Sequence, residues 1–141
     1  MIRKYGTANW QGTLKEGTGS VSTESGALKN VNYGFQKRFE GEPGSNPEEM
    51  LGAAHASCFA MALSLELGNA GYTADNIDAK TTVSLEQVDD GFAITKADIS
   101  VTATVPGIDD AEFQKIAEAT SKGCPVSKVL SCDIGLEAKL A

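Results

Sequence analysis

The stretch that most constrains this chain runs from "GEPGSNPEEM" into "LGAAHASCFAMALSLEL". Turn residues crowd its first half, and Asn46, Pro47 and Glu49 stand as a helix cap, first helical residue and capping-box acid should. The spacing predicts a helix from Pro47 to about Leu67, stopping near Gly68 or Gly71. That helix is apolar on nearly every side, so it is expected to be central and covered on all faces. Its alanines let neighbours approach closely.

What surrounds it reads mostly as strand. Residues 3–15 and 18–23 suggest a hairpin turning at Glu16-Gly17, with a third strand over Tyr33–Phe39. Two long strands, 77–88 and 92–105, flank an Asp90-Gly91 turn. The apolar alternation changes phase near Lys96, which predicts a β-bulge. Asp109 or Asp110 caps a second long helix with Phe113, Ile116, Ala117 and Thr120 at helical spacing. "GCPVSKVL" opens a short helix with Cys124 as N-cap and Pro125 first, and residues 131–140 close with a strand. The expected fold class is α+β, a mostly antiparallel sheet around the long helix. At 141 residues, the chain suits one domain spanning 1–141.

Charge removes several functions. The net charge of -7 disfavours nucleic acid and anionic membrane surfaces as partners. The longest nearly uncharged run, Met50 to Leu65, is short for a bilayer span, and the first ten residues carry no signal-like apolar segment. A cytoplasmic protein is expected, and in that compartment the three cysteines, Cys58, Cys124 and Cys132, read as free thiols. One histidine and no CxxC pair leave no usual metal-ligand spacing, and no glycine-rich phosphate loop is present. No bound cofactor or metal is expected.

Taken residue by residue, the chemistry stays open. Cys58 is either a small core residue or a nucleophile inside an apolar helix. His55, three residues earlier on the same face, is either a hydrogen-bonded core histidine or a general base. Cys124 faces free N–H groups at a helix start, a setting that lowers thiol pKa values, or it simply caps. Cys132 has no activating neighbour. Arg38, one of only two arginines against ten lysines, sits between aromatics in "YGFQKRFEG" and offers a planar donor fork. Glu48 lies in a first helical turn, where an acid is favoured in any case. A Cys58–His55 hydrolase or transferase and a non-enzymatic thiol sensor or binding protein are the alternatives to redox catalysis.

Together, "RFEGEPGSNPEEMLGAAHASCFAMAL" and the later "GCPVSKVL" closely resemble the OsmC/Ohr family, of osmotically inducible protein C and organic hydroperoxide resistance proteins, and stand nearer its OsmC branch. The resemblance extends over essentially the whole chain. It implies an intertwined homodimer and a thiol peroxidase that reduces organic hydroperoxides, and hydrogen peroxide less well. Cys58 matches the peroxidatic and Cys124 the resolving cysteine, which close a disulfide that an external, lipoyl-type dithiol reduces. Glu48 matches the family glutamate and Arg38 the arginine of the OsmC branch. The Ohr branch draws its arginine from an earlier position and carries tyrosine where His55 stands, so no role passes to His55. Apolar neighbours such as Phe39, Phe59 and Met61 are expected to favour organic substrates. Because Glu48 and Cys58 are ten residues apart on one helix, roughly 15 Å along its axis, the Arg38–Glu48 pair is expected to reach Cys58 from a second chain unless the helix bends.

Overall fold

A computed structural model describes residues 1–141, from Met1 to Ala141. They form two compact units, Met1–Met50 and Leu51–Ala141.

The first unit holds an antiparallel sheet of β1 (Gly6–Gln11), β2 (Thr18–Thr23) and β3 (Val31–Tyr33), in that order. The hairpin exists, but β1 stops at Gln11 rather than near residue 15. Residues 12–17 fold back on themselves instead, held by the Gly17 N–H to Thr13 carbonyl bond (2.8 Å) and by the Trp10 indole donating to the Gly12 carbonyl (3.1 Å). Trp10 and Tyr33 then pack ring to ring, centroids 5.4 Å apart.

The expected strand over Tyr33–Phe39 is corrected. Only Val31–Tyr33 pairs; Phe35–Phe39 forms a helical turn, α1. Phe35 and Phe39, four residues apart, fall on one helical face with ring centroids 4.9 Å apart and the rings tilted by 43°. Over five residues the apolar pattern fits either period, and the i to i+4 aromatic pair favours the helix.

In the second unit, β4 (Asn76–Val88), β5 (Gly91–Thr104) and β6 (Asp133–Leu140) make a sheet in sequence order. β4 and β5 are antiparallel. Their turn centres on Asp89-Asp90, one residue earlier than expected, because Gly91 pairs with Val88 and takes the left-handed position at φ 125°. The bulge falls where the phase change put it: Ser84 pairs with Lys96 and Leu85 with Ile94, leaving Thr95 extra. β6 runs parallel to β5. A parallel return needs a long crossover, and α3 (Asp110–Gly123) and α4 (Pro125–Val129) supply it. Asp109 caps α3 by accepting from the Glu112 N–H at 2.9 Å.

The long helix, α2 (Pro47–Asn69), starts as the sequence requires. Asn46 Oδ1 accepts from the Glu49 N–H at 2.8 Å and Pro47 is the first residue. Within the chain alone it is covered on one stripe, not all round. Gly52, His55, Phe59, Leu63 and Leu67 are buried, while Met61 and Leu65 are 77% and 62% exposed. The buried stripe recurs every three or four residues. It packs with Ile99, Val101 and Ala103 of β5 and with Phe113 and Ala117 of α3. By length and composition α2 would pass for a membrane span, yet its apolar stripe lies in this core. At Gly52 the sheet comes close: a Cβ there would stand 2.8 Å from the Thr81 carbonyl oxygen, so only glycine fits without movement.

Candidate functional site

The four residues singled out from the sequence are grouped in two pairs. Arg38 and Glu48 belong to the first unit. The Arg38 Nε stands 3.2 Å from both Glu48 oxygens and its Nη2 donates to Oε1 at 2.6 Å. This is the bidentate fork that lysine cannot make. The guanidinium also lies 5.3 Å from the Phe39 ring centre. Arg38 and Phe39, with Trp10, Leu14, Tyr33 and Phe35, line a cavity of about 280 Å³. The helical turn of α1 is what aims Arg38 and its aromatic neighbours at one space. Trp10, Tyr33 and Phe35 were not picked out from the sequence; their aromatic character within a chain of only 6% aromatics was the available signal.

The second pair belongs to the second unit. Cys58 is half-buried and Cys124 is buried, 1% exposed, and both are free thiols. Burial pushes the Cys58 thiol up from its ordinary range. The Val126 backbone N–H pulls it back down, and the neighbouring Cys124, which shares a hydrogen bond with it, raises it again. Cys124 is the N-cap of α4, its sulfur accepting from the Ser127 N–H at 3.4 Å. It borders a cavity of about 380 Å³ lined also by Ala62, Leu65, Thr120 and Gly123. Cys132 sits just before β6 rather than inside it, half-buried.

Two residues change standing. Phe59, expected to face substrate, is fully buried in the core, since its helical position puts it on the inward stripe with Leu63. Ser127, not considered from the sequence, bridges Cys124 and His55: its Oγ is 3.0 Å from Cys124 Sγ and 2.7 Å from His55 Nε2. The signal for it was a serine three residues after a capping cysteine. His55 is fully buried, and burial holds its imidazole below its ordinary pKa.

The lowered His55 pKa has a consequence for stability. Below pH 6.5 the unfolded chain takes up a proton that the folded chain resists. Folding stability is therefore expected to fall as pH drops below 6.5, with this group adding up to about 1.4 kcal/mol per pH unit. Denaturant titrations at pH 5 to 8 should show that component in the wild type and its absence in His55→Gln.

Two adjacent reduced thiols in an apolar α+β core are the equipment of a thiol redox protein. Comparison with known proteins makes this specific. The profile of the family described as OsmC-like protein matches residues 39–139. The chain is 55% identical over 139 residues to peroxiredoxin OsmC of Escherichia coli, covering 99% of this chain and 97% of that one. It is 26% identical over 124 residues to the organic hydroperoxide resistance protein OhrB of Bacillus subtilis, covering 86% and 89%. The crystal structure of that OhrB superposes with a TM-score of 0.72 over 97% of this chain and 98% of that one, at 21% identity. An OsmC-like protein of unknown function from Vibrio cholerae superposes at 0.75 over 98% and 99%, at 13% identity, which speaks for the fold alone. The chain belongs to the OsmC-like protein family.

Proposed function

We propose that this protein is a cysteine-based peroxidase that reduces organic hydroperoxides to alcohols. The observation that carries the reading is the hydrogen-bonded pair Cys58 and Cys124, brought together from positions 66 residues apart. The names of its relatives, peroxiredoxin and organic hydroperoxide resistance protein, support the same chemistry. The Cys58 thiolate attacks one peroxide oxygen, the O–O bond breaks, and the alkoxide leaves as alcohol once protonated. Cys58 is left as a sulfenic acid. Cys124 displaces its hydroxyl to form a disulfide, and an external dithiol of lipoyl type reduces it.

Burial alone would leave Cys58 protonated and unreactive. A cation is required, and the Arg38 fork held by Glu48 is the suitable one. Glu48 and Cys58 are ten residues apart on α2. The working form is therefore a homodimer in which Arg38 and Glu48 of one chain serve Cys58 of the other. The apolar face of α2 around Met61 and Leu65 suits such an interface. The aromatic cavity beside Arg38 suits the organic end of a hydroperoxide. The cytoplasm, where dithiols are kept reduced, is the compartment that fits.

The test is chemical. One equivalent of cumene hydroperoxide should convert the wild type to a Cys58–Cys124 disulfide, seen as a linked peptide by mass spectrometry. Cys124→Ser should instead accumulate a sulfenic acid at Cys58 that dimedone traps. Faster reaction with hydrogen peroxide than with cumene hydroperoxide would sink the organic preference, and the absence of both products would sink the peroxidase.

A further inference from the structure

Behind the cysteine pair lies a hydrogen-bonded chain that the two-cysteine cycle does not use. Ser127 Oγ stands between Cys124 Sγ at 3.0 Å and His55 Nε2 at 2.7 Å. All three residues are buried, at 1% exposure for Cys124, 6% for Ser127 and 0% for His55. The other ring nitrogen of His55, Nδ1, is buried with no hydrogen-bond partner. A histidine kept only for packing is ordinarily satisfied at its buried polar atoms. This one is bonded through a single nitrogen, to a serine that in turn touches a reactive sulfur.

Disulfide closure needs Cys124 as a thiolate, because the thiolate is the attacking species. At 1% exposure its sulfur has little contact with bulk water, whereas Ser127 Oγ stands 3.0 Å away. A neutral imidazole protonated at Nδ1 presents a lone pair at Nε2, to which the Ser127 hydroxyl donates. The hydroxyl oxygen is then free to accept from the Cys124 S–H. Shift both protons along the chain and the arrangement becomes Cys124 thiolate, Ser127 hydroxyl and His55 imidazolium. The sulfur then accepts from both the hydroxyl and the backbone N–H of Ser127.

Resting on Cys124 as the resolving cysteine, we propose that Ser127 and His55 form a proton relay for that residue. Ser127 Oγ takes the Cys124 proton while passing its own to His55 Nε2. The thiolate then attacks the Cys58 sulfenic sulfur, the S–S bond forms, the S–O bond breaks, and hydroxide leaves with that bond's electron pair. Hydroxide takes up the proton that His55 releases, and water departs. Ser127 touches a reacting atom and is a catalytic residue on this account; His55 acts through it and is a positioning residue. Burial holds His55 neutral beforehand, so it starts unprotonated; the imidazolium it becomes is formed beside the Cys124 thiolate and is short-lived.

Rapid-quench oxidation of the reduced protein with one equivalent of cumene hydroperoxide separates the two steps. Dimedone adducts report sulfenic acid and linked peptides report disulfide. Ser127→Ala should form the sulfenic acid at the wild-type rate and close the disulfide about 100-fold more slowly. Ser127→Thr, which restores a hydroxyl, should recover most of the closure rate. His55→Gln can still hydrogen-bond Ser127 but takes up no proton, so it should close as slowly as Ser127→Ala. Wild-type closure in either Ser127→Ala or His55→Gln would overturn the relay, as would equal slowing of both steps, the mark of a merely structural role. A wild type that turns over without a Cys58–Cys124 disulfide would remove the resolving role of Cys124 and the relay with it. A normal wild-type disulfide with an unaffected Ser127→Ala would overturn the relay alone.

Discussion

A Cys58→Ser chain should fold as the wild type does and lose hydroperoxide turnover by on the order of 10⁴ or more, the scale of removing a covalent nucleophile. The substitution changes one atom. Sulfur gives a thiolate near neutral pH when a cation is close, whereas a serine hydroxyl stays protonated and cannot carry the oxidised intermediate. Cys58 is half-buried against the core cluster, so serine fits the space with a small polar cost. Loss of activity with an unchanged circular dichroism spectrum and melting curve would therefore report chemistry. The measurement is consumption of cumene hydroperoxide in the presence of a dithiol. Retention of even a tenth of wild-type turnover would assign the nucleophile elsewhere and reopen the hydrolase or sensor readings.

The second large effect concerns Arg38. Arg38→Ala should slow peroxide reduction by about 10² to 10³, the usual loss when a donor to a developing oxyanion is removed. The pH dependence should move as well. Burial raises the Cys58 thiol, and an arginine offsets that by favouring the thiolate. Without the cation the thiol stays protonated to higher pH, so the rising limb of the rate profile shifts toward alkaline pH. Mixing Arg38→Ala chains with Cys58→Ser chains gives heterodimers with one intact site, if Arg38 serves the partner's cysteine. Each mutant alone is nearly inactive, and the mixture should regain a measurable fraction of wild-type turnover. No recovery in a heterodimer verified by mass spectrometry would place Arg38 and Cys58 of the same chain in one site.

How far the sequence carried the reading depends on how local each feature is. The starts of α2 and α3 were legible because a cap is a contract among four neighbouring residues: Asn46 to Glu49, and Asp109 to Glu112. The Thr95 bulge was legible because a strand shows its two faces in alternation, and an extra residue reverses them. The α1 turn was not, because Phe35 to Phe39 is too short for its period to be resolved. Phe59 was misplaced for a related reason. An almost wholly apolar helix carries no polar face to say which side turns inward, and only the packing of β5 and α3 chose the stripe through His55 and Phe59.

By itself, the sequence determined the elements and the reagents: a capped apolar helix holding one thiol, a second thiol at a later helix start, and a solitary arginine set among aromatics. Those follow from interactions within a few residues of chain. Which of them meet is not in the local pattern: the family resemblance implied the pairing of Cys58 with Cys124, 66 residues apart, and the tertiary structure alone brought His55 to Ser127 across 72. Such contacts are set by how α2 and the β5-to-β6 crossover pack on a common core, and burial shared between distant segments leaves no trace in the local pattern of either one.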